Sequence, residues 1–74
     1  MSRLTLITAA ELEKLLFKLG FEKKRQKGSH VFYRHPDGRV TTIPFHSNKP
    51  INRPLLRTIL NQIKLSIDEY NKLI

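Results

Sequence analysis

The chain has 74 residues, no cysteine and a formal net charge of +8, from 14 Lys and Arg against six Asp and Glu. That length allows one domain or a fragment of one, which buries only about 60% of the surface its unfolded chain exposes. An apolar content of 39% therefore supports one small core and no deep substrate cavity. The absence of cysteine excludes a disulfide framework and a thiolate metal site. No apolar run is long enough to span a membrane, and residues 1–7 are too short for a signal peptide, so the expected compartment is the cytoplasm.

The charge is concentrated. Lys18, Lys23, Lys24, Arg25, Lys27, Arg34 and Arg39 are opposed only by Glu22 and Asp37, seven cations against two acids, a net +5 of the +8. Such an excess attracts polyanions at long range, which makes nucleic acid the leading partner class.

In chain order, Thr8-Ala9-Ala10-Glu11 reads as a capping box, with Ile7 and Leu12 in the positions of a hydrophobic staple. Leu12, Leu15, Leu16 and Leu19 then recur at helical spacing, and Gly20 supplies a left-handed stop, which predicts a helix over residues 9–19. From Phe21 to Pro44 the pattern changes to aromatic and β-branched residues between turn signals. It predicts strands over residues 21–26, 30–35 and 39–43, joined by Lys27-Gly28-Ser29 and by the hairpin turn Pro36-Asp37-Gly38. Pro44 ends the third ladder because it has no N–H to donate. Residues 45–52 form a loop, and a second helix opens near Pro54 with the apolar stripe Leu56, Ile59, Leu60 and Ile63. Ser66-Ile67-Asp68-Glu69 is a second capping box, between Leu65 and Tyr70, and starts a short third helix.

The order is α-β-β-β-α-α, an α+β layer architecture in which the helices cover one face of a three-stranded antiparallel sheet. Alternation groups His30 with Phe32 and Arg34, and Val31 with Tyr33 and His35. Each group contains an aromatic, so parity does not say which one meets the helices.

With "GSH" opening the second strand and "HPDGR" at the next hairpin, this arrangement resembles the HicA family of bacterial toxins. So does "IPFHSNKPINRPLLRTILNQIKLSIDEY", which is similar to the family's passage from a Pro-x-His loop into the second helix and a short last helix. The likeness extends over about residues 10–70. It implies one HicA-like domain over residues 1–74, with a fold similar to double-stranded-RNA-binding domains. It also implies mRNA interferase activity and a HicB-like antitoxin that holds the toxin inactive. The family's essential histidine follows a Gly-Ser or Gly-Gly pair, which carries over to His30. Where the family often has Gly-Thr at the start of the second helix, this chain has Arg53-Pro54-Leu55.

Cleaving RNA near neutral pH needs a group that works in both protonation states, and imidazole, with an unperturbed pKa of about 6.5, is suited to it. In this reading His30 is a general base acting on a ribose 2′-hydroxyl. The competing reading is a strand histidine whose ring ties down the Gly28-Ser29 turn. Gly28 serves backbone geometry, and Ser29 is a turn residue whose hydroxyl could steady His30. His46, in a loop leading to a helix N-terminus, either protonates the leaving oxygen or caps the helix. His35 belongs to the hairpin end, before Pro36. Lys23, Lys24, Arg25, Lys27 and Arg34 are candidates to track the RNA backbone, although a lysine-rich edge strand also discourages aggregation. Lys49, Arg53 and Arg57 either extend that surface or serve the antitoxin. The histidines stand five and eleven residues apart, with no His-x-x-x-His pair and no carboxylate cluster, so a metal-independent reaction without cofactor is expected. The alternative of another class is a catalytically silent RNA-binding module of the double-stranded-RNA-binding type, which gives Gly28-Ser29-His30 no role.

Overall fold

The computed structural model describes residues 3–46 and 48–74; position 47 of the expected loop and positions 1 and 2 of the amino-terminal stretch lie outside the described residues. The elements run α1 (Ala9–Lys18), β1 (Glu22–Lys27), β2 (His30–Arg34), β3 (Val40–Pro44), α2 (Arg53–Gln62) and α3 (Ile67–Leu73). This is the expected α+β order, built on a three-stranded antiparallel sheet in the order β1-β2-β3.

Both ends of α1 are set by its own sequence. The Glu11 N–H donates to the Thr8 hydroxyl at 3.2 Å, and the Thr8 N–H donates to the Glu11 carboxylate at 2.9 Å, closing the capping box. At the other end the Gly20 N–H reaches the Phe17 carbonyl at 3.1 Å and the Phe21 N–H reaches that of Leu16 at 2.9 Å. These two bonds, with Gly20 at φ +99°, form a Schellman stop. They also explain why β1 begins one residue later than expected: the Phe21 N–H finishes the helix, and its ring turns into the core. Helix α2 is capped by Asn52, whose side chain accepts from the Leu55 N–H at 3.0 Å, with Pro54 in the first turn. Ser66 caps α3 at 3.1 Å from the Glu69 N–H, but here the Glu69 carboxylate accepts from the Ser66 hydroxyl rather than from its backbone.

The core lies on one side of the sheet. Val31 and Tyr33 of β2 and Thr41 and Ile43 of β3 are buried against Leu12, Leu15 and Leu16 of α1 and Leu56, Ile59 and Leu60 of α2. Both longer helices contact β3. Two side-chain hydroxyls of the core are paired across elements. The Tyr33 hydroxyl donates to Glu13 at 2.5 Å, and the Thr41 hydroxyl donates to Gln62 at 2.7 Å. Burial, then the Glu13 carboxylate, pushes the Tyr33 phenol far above its ordinary range. The stretch over residues 3–7 is held by α2, α3 and the loop before α2: the Ile51 N–H donates to the Ile7 carbonyl, Arg53 to the Leu4 carbonyl at 3.0 Å, and the Tyr70 hydroxyl to that of Thr5.

Strand β1 is exposed at every position, and its pairing with β2 shifts register between Lys23 and Arg25. The opposite face of the sheet carries none of the helices.

Candidate functional site

The turn that precedes His30 has two central residues, Gly28 and Ser29, and of these only Gly28 has positive φ, +58°. A type II′ hairpin turn has this φ pattern and favours glycine at its first central position. The Ser29 carbonyl accepts from the Phe45 N–H at 2.6 Å, so the turn is tied to the end of β3 as well as to β1. His30 is thereby the first residue of the central strand, opposite Lys27 on one side and Pro44 on the other.

Because Val31 and Tyr33 point into the core, His30, Phe32 and Arg34 point the other way, onto the open face. The His30 ring is exposed, and among the described residues it makes no hydrogen bond and no ion pair. In particular, neither the Gly28-Ser29 backbone nor the Ser29 hydroxyl bonds to it. A groove of about 330 Å3 beside the ring is lined by Arg25, Lys27, His30, Phe32 and Thr42. A second, of about 420 Å3, shares His30, Phe32 and Thr42, adds Pro44, and crosses the β3 edge to Leu55, Thr58 and Gln62. A third shares Pro44 and Leu55 and reaches His46, Lys49 and Asn52 at the start of α2. The three grooves adjoin through these shared residues and together form a furrow, with His30 lining two of them.

The candidate cations divide between the two faces. Residues directly opposite in an antiparallel ladder project from the same side, so Arg25, paired with Phe32, and Lys27, paired with His30, belong to the open face. The Arg25 guanidinium lies over the Phe32 ring, 5.5 Å from its centroid. Arg34 shares that face by alternation. Lys23 is paired with Tyr33, on the helix side. Lys24 sits at the register shift and forms a 2.9 Å ion pair with Glu22, whose carboxyl that hydrogen bond holds below its ordinary range. Arg53 is engaged with the Leu4 carbonyl, whereas Lys49 lines the furrow.

A family model described as "HicA toxin of bacterial toxin-antitoxin" matches residues 9–65, which is most of the chain. The chain belongs to the HicA toxin family. None of the curated proteins matches it. It is thus a toxin of a bacterial toxin–antitoxin system, a class whose members work against an antitoxin partner.

In this HicA toxin His35 has a purely structural set of contacts. Its Nδ1 stands 3.1 Å from the Asp37 backbone nitrogen and 3.0 Å from the Asp37 carboxylate, and its Nε2 donates to the Leu19 carbonyl at 3.1 Å. The ring meets Phe21 edge-on at 5.0 Å and so joins the β2–β3 hairpin to the end of α1. His46 is exposed in the furrow but lies in a different groove from His30. Among the described residues, no three His, Asp or Glu side chains come together in a way that could hold a metal ion. Phe32 and Thr42 are among the furrow residues that carry no catalytic signature in the sequence. The one available signal for Phe32 was its parity with His30, and that becomes informative only when the sidedness of the sheet is known.

Proposed function

We propose that this HicA-family toxin is an mRNA-cleaving endoribonuclease with His30 as its general base. What supports the reading most is the setting of that ring. It is open to solvent on a cationic face, lined by Arg25 and Lys27, and no hydrogen bond commits it to a structural task among the described residues. Of the other two histidines, His35 is consumed by the Leu19 and Asp37 bonds.

The reaction needs little machinery. His30 takes the proton of a ribose 2′-hydroxyl, the 2′-oxygen bonds to the adjacent phosphorus, and the bond from phosphorus to the 5′-oxygen breaks. The leaving oxygen takes a proton from solvent, and the products end in a 2′,3′-cyclic phosphate and a 5′-hydroxyl. Lys27 and Arg25 stabilise the charge that accumulates on the phosphorane, an electrostatic contribution that is usually the larger one. A positioned base adds on the order of 10²–10⁴-fold. No cofactor enters this scheme. The toxin is held inactive by a HicB-like antitoxin and acts in the cytoplasm; among the described residues no helix is long and apolar enough to cross a membrane.

Incubation of the purified protein with single-stranded RNA in the presence of a chelator tests the reading. Cleavage with cyclic-phosphate ends is expected, and His30→Ala should lower the rate by about 10²–10⁴-fold with an unchanged circular dichroism melt. RNA that is bound but left intact by the parent protein would make it a silent RNA-binding module. Equal cleavage by the variant would remove His30 as the base.

A further inference from the structure

The central strand presents Phe32, half-buried, on the face that the helices leave open and outside the core cluster. Its neighbour Tyr33 supplies the buried aromatic of this strand. Phe32 lies two residues from His30 on the same side, a separation of about 6.8 Å along a strand. Thr42, a small polar residue, stands opposite it on β3, and Arg25 stands opposite it on β1. The planar Arg25 guanidinium lies over the ring, 5.5 Å from the centroid.

We propose that Phe32 is a stacking platform for an unpaired nucleobase next to the scissile phosphate, so that the substrate of this toxin is single-stranded RNA. The inference deepens the nuclease reading and rests on it for the position of the cut. Arg25 occupies the place of the base in the free protein. An exposed cation–π contact is weaker than stacking of a base on an aromatic ring, so an incoming base displaces the guanidinium. The freed Arg25, with Lys27 beside it, then turns to the RNA phosphates, which supply charge complementarity on the same face. Only unpaired nucleotides can offer a base face in this way. In a duplex both faces of each base are stacked, and A-form RNA is read through its shape and 2′-hydroxyls instead. Sheet aromatics that stack bases beside a cationic groove belong to single-strand recognition.

The test separates stacking from cleavage by using His30→Ala protein as the binding partner of a single-stranded RNA oligonucleotide carrying 2-aminopurine. Binding should quench the fluorophore, and adding Phe32→Ala or Phe32→Leu should weaken binding about tenfold. Phe32→Tyr and Phe32→Trp should restore it, because they keep a π-face, whereas leucine keeps only apolar bulk. The same sequence as a duplex should bind at least about tenfold more weakly than the single strand. With His30 intact, Phe32→Leu should lower kcat/KM for single-stranded RNA by a similar factor.

Parent-like binding by Phe32→Leu, or equal affinity for duplex and single strand, would overturn the platform even if the protein cleaves RNA. Loss of antitoxin binding by Phe32→Leu with RNA binding untouched would assign the ring to a protein interface and overturn it too. If the parent protein fails to cut RNA yet the binding still follows the ring series, the nuclease reading falls and the platform stands.

Discussion

Of the three glycines, Gly20 is the one specified both by its backbone and by a close neighbour. Its φ of +99° is a conformation that L side chains avoid, and a Cβ there would stand 3.0 Å from the His35 Nε2. That nitrogen is committed to the Leu19 carbonyl, so the ring cannot move aside without giving up its hydrogen bond. Gly20→Ala should therefore destabilise by more than about 1 kcal/mol, measured as a shift in urea midpoint. An unchanged midpoint would show that neither the backbone nor the latch matters. His30 and His35 illustrate how far single residues were legible. Their odd spacing puts them on opposite sides of a strand, and parity alone predicts that only one of them can share the core side. It does not say which, because both sides carry an aromatic. The answer came from the burial of Val31 and Tyr33, which left His30 in solvent.

At the scale of elements, the ends of the two longer helices use the same device with different residues. Helix α1 stops on Gly20. Helix α2 stops on Lys64, which takes φ +56° while its N–H reaches Asn61 at 3.2 Å and the Leu65 N–H reaches Leu60 at 3.0 Å. This is the same Schellman geometry, but lysine holds a left-handed conformation that costs an L-residue about 1–2 kcal/mol. Lys64→Gly should accordingly stabilise the protein by about 0.5–1 kcal/mol, part of the gain being offset by the freer unfolded chain. Thermal unfolding would read the change, and a fall in melting temperature would contradict it. The sequence signalled the first stop, because glycine advertises it, and was silent on the second. Single N–H groups also set two strand ends. That of Phe21 is taken by α1, so β1 starts one residue late, and that of Phe45 bonds to the Ser29 carbonyl, so β3 runs one residue further, through Pro44.

At the scale of the whole molecule, a protein of charge +8 depends on its few carboxylates. Three of them have depressed pKa values: Glu11 chiefly through the Thr8 N–H, Glu22 through Lys24, and Asp37 chiefly through the Arg39 N–H and then its guanidinium. Each binds protons more weakly in the folded state than in the unfolded one. Their contribution is thus present above the ordinary carboxylate values, 4.5 for Glu and 3.8 for Asp, and is lost as pH falls through the folded values. Urea midpoints should be level from neutral pH down to about 4.5 and then drop as protonation also leaves the cations unopposed. Asp37→Asn should lower the plateau and flatten part of the descent. A descent as steep as the parent's would mean that the hairpin carboxylate plays no part in it.

The helix stripes, the capping residues, the glycine and proline turns and the alternation of β2 were determined by the sequence itself. All of these depend on neighbours within about four residues, where backbone geometry leaves few choices. What only the tertiary structure decided was sidedness: which face of the sheet the helices cover, and hence that His30, Phe32, Arg25 and Lys27 share the free one while Lys23 does not. Sidedness depends on where α1 and α2 dock, and that is settled by contacts between distant parts of the chain, such as Tyr33 with Glu13 and Thr41 with Gln62. No local pattern contains those pairings, because they exist only when the whole core closes.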